Sequence, residues 1–468
     1  MENRMDILEV KNNMINKISF GGKECLLEEK SHLIISKIFD KYLSIINSYT
    51  NSNFIIEESI WEKTDFFPEE LYDKLKILPE PSYETTFPYH EATKVVSFII
   101  VISYACNMRC TYCYQQKSGE LSKKQMTPAT LEKILEVILD YKMSHPDKIV
   151  QIGLFGGEPL MKENHNLIMN ILDFCVENAI SIGITTNGKD LEFYLKDLII
   201  YRSLQITICT TIDSINNNVT RCCIENKYPH QNKGTEKLLS ILKILVDSGV
   251  YVSVETNIDK HNIGQIDEII SYYNHNGFMS SPFFEFGFGR VDDRLYETNY
   301  PDIVSYVDIL LELGKVKPIP SRFFISFLRT PYELSKKIGC NYNQQEMRYS
   351  NSYCWAASSL DEVFYIDPDM NTYRCTYTVG RREYSIMKFN KRNLRKYKIP
   401  FRSFEENEKC RSCKIGGYCA GGCMLSAKVN FAEQCKDERE DFEKYLDKLY
   451  YPSIKRLLLK YLEIEKRL

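Results

Sequence analysis

Ten cysteines of this chain fall into two groups whose spacing could hold metal. Cys106-Asn-Met-Arg-Cys110-Thr-Tyr-Cys113 places three thiols within eight residues. The second group runs Cys354, Cys375, then Cys410-x2-Cys413-x5-Cys419-x3-Cys423, and ends at Cys435. Three thiolates at the first spacing can hold three irons of a cubane cluster and leave the fourth iron without a protein ligand, open to something else. A zinc ribbon brings paired C-x2-C knuckles, so the lone triad suits zinc poorly, whereas the second group keeps a zinc-bound alternative open. The other six, Cys25, Cys175, Cys209, Cys222, Cys223 and Cys340, are scattered. Cys175, inside an apolar helical pattern, reads as a small core residue. The seven histidines form no metal-binding spacing such as H-E-x-x-H, and there is neither a nucleophile elbow nor a phosphate loop.

These residues need a scaffold, and from Val95 onward short β-branched runs alternate with amphipathic helices. Strands are predicted at Val95–Ser103, Ile149–Phe155, Ile182–Thr186, Leu204–Thr210, Val250–Thr256 and Phe283–Phe288. Helices fall between them at Pro128–Met143, Asn166–Glu177, Leu191–Leu198, Thr235–Asp247 and Ile263–Tyr273. Thr127 can cap the first helix with Pro128 at its first position, and Gly249 can end the fourth. Such repeats imply parallel strands with helical crossovers, in an open doubly wound sheet or a partial barrel. In both, chemistry belongs at the C-terminal strand ends. The cysteine triad follows the first strand, Gly156-Gly157-Glu158-Pro159 the second and Thr185-Thr186-Asn187-Gly188 the third. Asp213 lies beyond the fourth strand, where Arg221 precedes the pair Cys222-Cys223.

At 468 residues the chain exceeds one hydrophobic core, and two or three domains are expected. The 60 basic and 63 acidic residues nearly cancel, giving no global field toward nucleic acid or an anionic membrane. The N-terminus carries charge where a signal peptide would be apolar, and no run approaches the ~18 apolar residues of a membrane span. A cytoplasmic protein is expected, in which clustered cysteines serve metal or redox chemistry rather than disulfides. Residues 1–80 read as a small α+β domain, with a helix from Ser31 to Ser48, a second from Pro68 and a possible hairpin around Gly21-Gly22. A proline-rich linker over 81–94 leads to the strand–helix region at 95–315. A cysteine-rich region of few apolar runs spans 316–435 and needs metal to fold, and a helical tail interrupted at Pro452 spans 436–468.

The C-x3-C-x-Tyr-C loop after the first strand resembles the signature of radical S-adenosylmethionine (SAM) enzymes. The resemblance implies an α/β fold, a partial (β/α)6 barrel flanked by the N-terminal domain and a cluster-binding C-terminal domain. It implies a four-iron four-sulfur cluster on Cys106, Cys110 and Cys113, with SAM chelated at the open iron and cleaved to a 5′-deoxyadenosyl radical. Tyr112 would lie near the adenine, and Gly156, Gly157, Glu158 and Pro159 would pair with the SAM ammonium group. Thr186, Asn187 and Asp213 would stand at the SAM or substrate face. The later cysteines resemble the SPASM extension, which binds two auxiliary four-iron clusters. Cys354, Cys375 and Cys423, with Cys340 as a candidate fourth, would hold the first, and Cys410, Cys413, Cys419 and Cys435 the second. Where the family has glycine in an Asp-Pro-Asp-Gly turn, this chain has Met370.

Radical SAM enzymes with this extension mostly modify peptides or proteins. The expected function is therefore oxidative maturation of a ribosomally made precursor peptide, by a thioether or carbon–carbon crosslink, with a flavodoxin or ferredoxin as electron donor. The N-terminal domain would hold the precursor's leader as an added edge strand. The alternatives are a peptide epimerase, with Cys222 or Cys223 donating a hydrogen atom, and a sulfatase-maturase-like enzyme that forms formylglycine; incidental thiols are the plainer reading of the cysteine pair. A sulfatase-maturase activity is disfavoured because Thr376 stands where those enzymes carry an aspartate base. The contrasting class is a non-catalytic iron–sulfur or zinc protein.

Overall fold

The computed structural model describes seven strands between residues 10 and 57 and then residues 94–115, 124–215, 221, 233–292, 300–316, 323–325, 356, 362–397, 408–411, 413–419, 421–456 and 459. The helix expected from Pro68, the linker up to residue 93, Cys222, Cys223, Cys340 and Cys354 lie outside the described residues.

The N-terminal strands are β1 (Val10–Lys11), β2 (Met14–Ile15), β3 (Lys17–Phe20), β4 (Lys23–Leu26), β5 (Leu33–Phe39), β6 (Tyr42–Asn47) and β7 (Ser52–Glu57). β3 and β4 pair antiparallel with Phe20 opposite Lys23, the strand pairing that the expected hairpin needs. The helix expected over Ser31–Ser48 is instead the antiparallel pair β5–β6, with Phe39 opposite Tyr42. The isoleucines at 34, 35, 38, 45 and 46 satisfied a 3.6-residue period, yet β-branched side chains favour strands, and neighbouring strands decide the outcome. β1, β2, β5, β6 and β7 form one sheet in that order, with β7 at an edge.

The barrel region follows the sequence reading closely. Strands β8 (Val95–Ser103), β9 (Ile149–Gly156), β10 (Ser181–Thr186), β11 (Thr207–Thr211), β12 (Tyr251–Ile258) and β13 (Phe284–Arg290) are all parallel and lie in sequential order. A doubly wound sheet would reverse its order part-way, so the sequential order selects the partial barrel. Thr127 caps the helix Pro128–Ser144, accepting from the Thr130 amide at 3.1 Å. The apolar faces of the helices meet the outward residues of the strands, and Cys175 is fully buried there, as expected.

The sheet continues past residue 315. β14 (Phe323–Ile325) extends it beyond β13, and β15 (Glu362–Ile366) adds in parallel to the free side of β8. β16 (Asn371–Tyr373) and β17 (Met387–Lys388) complete an antiparallel meander. The cysteine-rich region thus contributes strands, which the sequence reading missed because Val363–Ile366 is a single short run. The turn at Asp367 keeps a left-handed fourth residue in spite of the missing glycine. Met370 adopts φ 60°, and its amide donates to the Asp367 carbonyl at 2.8 Å. The Asp367 carboxylate holds the turn by accepting from the Asn371 amide at 2.8 Å and the Tyr373 hydroxyl at 3.0 Å.

A helix from Met424 to Tyr445, kinked at Asn430, passes through Cys435 and continues as a π-turn over Leu446–Tyr450. Helical backbone resumes at 451–456, so Pro452 does not interrupt it as expected. The wider π-turn ends two residues before the proline, which has no amide to donate. The helix binds the barrel through Asp441 to Arg290 at 2.9 Å and Lys444 to Asp308 at 2.7 Å. It meets the N-terminal sheet through Tyr451 with Ser36, and through Tyr450 with Ser44 at 3.2 Å. Tyr450 and Ser44 are both fully buried. Tyr450→Phe strands the Ser44 hydroxyl and is expected to lower unfolding free energy by about 1 kcal/mol, read from urea denaturation.

Candidate metal centre

The triad occupies the loop that leaves β8 at the C-terminal rim of the barrel. Two neighbouring strand ends pin that loop. Gly157 donates its amide to the Ser103 carbonyl and Glu158 to that of Ala105, both at 2.8 Å. This close approach explains both glycines: a Cβ at Gly156 would collide with the Ser103 carbonyl oxygen, and one at Gly157 with those of Tyr104 and Ala105. Gly156 also has φ 137°, which side chains avoid. The pair therefore lets two backbones touch, and the turn is secondary.

Glu158 is buried and braces the site. Oε1 accepts from the Leu160 amide at 2.8 Å and the Thr186 hydroxyl at 2.7 Å, and Oε2 accepts from the Asn187 amide at 2.5 Å. Burial pushes its carboxyl up to about 7, against the lowering effect of these donors. The Pro159 carbonyl accepts from the Asn164 amide group at 2.9 Å. Held in this way, Asn187 aims Nδ2 at the Cys106 sulfur, 3.5 Å away, and at Asn107 Oδ1, 2.8 Å away. The Met108 amide also donates to Cys106 Sγ, at 3.3 Å.

On the other side, the Tyr112 hydroxyl donates to Asp213 Oδ2 at 2.5 Å, and Asp213 Oδ1 accepts from the Asn257 amide at 2.9 Å. Arg221 Nη1 reaches the Tyr112 oxygen at 3.4 Å, and its charge acts on Cys110 and Asp213. Burial raises the Asp213 carboxyl in spite of these partners, and pushes the Cys110 thiol up to about 12. A thiolate there needs a cation beside it. The structure thus brings Tyr112, Gly156–Pro159, Thr186, Asn187 and Asp213 around the triad. Arg221 and Asn257 were not singled out from the sequence as site residues. Asn257 sits near the C-terminal end of β12, a position that could have marked it.

The second cysteine group is partly visible. Cys410 is buried, while Cys413, Cys419 and Cys435 are half-buried. Cys410, Cys419 and Cys435 each lie near enough to feel charge on Cys413, and Cys419 also feels Cys410 and Cys435. Cys423 stands at the N-cap position of the helix that starts at Met424, without a side-chain bond to it. Cys375 precedes the 3-10 turn Thr376–Thr378, whose Tyr377 stacks on Tyr114 at 4.3 Å, next to Cys113. Among the described residues no three His, Cys, Asp or Glu side chains converge tightly enough for a single ion. Four thiols in one neighbourhood are a donor set that a four-iron cubane can use, one at each corner.

Known proteins share this architecture. Residues 100–273 match the Radical SAM superfamily. The cysteine-type anaerobic sulfatase-maturating enzyme of Clostridium perfringens (strain 13 / Type A) is 20% identical over 75% of this chain and 91% of its own length. The radical SAM cyclopropyl synthase TigE of Paramaledivibacter caminithermalis is 22% identical over 99% of this chain and 91% of its own length. The solved structure of native anSMEcpe with bound AdoMet and Cp18Cys peptide superposes with TM-score 0.54 at 17% identity, covering 77% of this chain and 99% of that one, a likeness of fold. With six parallel strands in sequential order and the cysteine loop after the first of them, this chain carries a radical SAM domain over residues 100–273.

Proposed function

We propose that the protein is a radical SAM maturase that crosslinks a ribosomally made precursor peptide through a thioether or carbon–carbon bond. The observation that carries this reading is the convergence of three strand ends on the Cys106–Cys113 loop through Glu158 and Asn187. Cys106, Cys110 and Cys113 would hold a four-iron cluster with SAM at its open iron, and that group would supply the radical chemistry needed to remove a hydrogen atom from the peptide. The chain's own residues orient the nucleoside. Glu158 has about four acceptor sites and three are filled, which leaves one for an ammonium group. Arg221 is a cation suited to a carboxylate. Tyr112, fixed by Asp213, offers a ring face on the same side.

Cys410, Cys413, Cys419 and Cys435 would hold one auxiliary cluster, and Cys375 and Cys423, with Cys354 and Cys340, the other. A peptide substrate is supported by relatives that mature a sulfatase or bind a peptide. The edge strand β7 suits a leader added as a further strand. A flavodoxin or ferredoxin would supply the electron. No described helix is long and apolar enough to cross a membrane.

Co-expression with a short cysteine-rich or aromatic-rich reading frame beside this gene, followed by mass spectrometry, tests the proposal. Loss of two hydrogens per modified site is expected. An unchanged mass in a SAM-dependent product would replace crosslinking by epimerisation. Absence of 5′-deoxyadenosine after full cluster reconstitution would return the protein to the non-catalytic class.

A further inference from the structure

The helix carrying Cys435 places Arg439 one turn later on the same face, beyond the kink at Asn430. Arg439 Nη2 donates to the Cys413 sulfur at 3.8 Å. Its charge acts on Cys435 and Cys410 as well. Lys409, whose ammonium lies 5.8 Å over the Phe431 ring, also acts on Cys435. The opposing charge is Glu438, which acts on Cys419 and Cys435. Of these groups Arg439 is the one with a hydrogen bond to a thiol sulfur among the contacts described.

Building on the proposed function, we infer that Arg439, through its N–H to the Cys413 sulfur, raises the reduction potential of the cluster on Cys410, Cys413, Cys419 and Cys435 and so makes it the electron acceptor of the reaction. Reduction adds one negative charge to the cluster and its thiolates. A guanidinium beside them, with a hydrogen bond to a ligand sulfur, stabilises the reduced form more than the oxidised one. Crosslinking creates the need for such an acceptor. One hydrogen atom leaves to the 5′-deoxyadenosyl radical, the new bond forms as a thiol or C–H gives up its proton, and one electron remains. A cluster held by Cys410, Cys413, Cys419 and Cys435 would accept that electron, and a one-electron carrier of the ferredoxin or flavodoxin class would take it onward. Arg439 is a positioning residue in this scheme, touching a ligand and not the peptide.

Arg439 is exposed, so its replacement does not open the core, and solvent screening moderates the effect. The test uses the full chain with Cys106, Cys110 and Cys113 changed to alanine, reconstituted with iron and sulfide and titrated with dithionite under electron paramagnetic resonance. Arg439→Gln is expected to lower one auxiliary midpoint by about 59 mV, a tenfold change in the one-electron equilibrium. Arg439→Lys, which keeps the charge, lowers it less. The signal that moves must be the one lost in Cys435→Ala. Unmoved midpoints at unchanged iron content, or a shift only in the signal that survives Cys435→Ala, overturn the inference. A parent protein with no reducible auxiliary signal overturns the cluster assignment beneath it instead.

Discussion

Changing Cys106, Cys110 and Cys113 together to alanine will abolish SAM cleavage, with 5′-deoxyadenosine falling at least ~10³-fold, a barrier increase of about 4 kcal/mol. About four irons per chain should be lost at the same time, because three thiolates are the whole protein contribution to such a site. The fold should survive. The three side chains sit half-buried on a loop outside the strand–helix core, and the loop is tied down by backbone bonds from Gly157 and Glu158 that the substitutions leave in place. Far-ultraviolet circular dichroism should therefore be unchanged, and visible absorbance from the auxiliary clusters should persist. Cleavage that continues in this variant would remove the triad from the chemistry. Loss of all iron would instead mean that the later cysteines hold no cluster of their own.

The barrel was legible in sequence because each strand–helix repeat carries its own periodicity, the strands alternating fully buried residues under the helices with half-buried ones, as in Tyr251–Ile258. Val95–Ser103 matches its expected bounds end to end. The rim motifs were legible because they recur at one structural place, the residue after a strand. Segments whose conformation is decided from outside themselves were misread. Ile34, Ile45 and Ile46 fit a helix as well as a strand, and the decision lies in the pairing of β5 with β2 and β6 and in contact with Tyr450 and Tyr451 some 400 residues away, 406 for Ser44 to Tyr450. β15 was hidden for the same reason, since its partner is β8. Met370 shows the converse. Its residue type argued against a left-handed turn, but Asp367, Asn371 and Tyr373 hold the turn by side-chain bonds that a glycine rule does not count. Glu158 was picked out for its charge toward a ligand, whereas two of its three bonds, to Thr186 and Asn187, depend on where β10 ends.

Those three bonds make Glu158→Gln the most informative single change at the rim. The amide can accept at one atom but turns an NH2 group toward backbone donors, so at least one of the Asn187 and Leu160 amides loses its acceptor. A buried donor left unsatisfied costs about 1–3 kcal/mol, and Asn187 then no longer holds its aim on Cys106. An approximately 100-fold loss of 5′-deoxyadenosine formation is expected, equivalent to about 3 kcal/mol. The native enzyme should also lose activity as pH falls through about 7, where the carboxylate takes up a proton and gives up an acceptor site. Glu158→Gln lacks that limb. Stability should move the other way. The folded-state value near 7 lies above the ordinary 4.5, so the fold favours the protonated acid. Its contribution to stability is complete below 4.5 and is lost as pH rises from there to about 7. Urea unfolding of the native and Glu158→Gln chains across pH 5 to 8 should therefore show the native protein losing stability relative to the variant as its activity appears. A difference that stays flat would mean that Glu158 is ionised throughout and braces the loop without a stability cost.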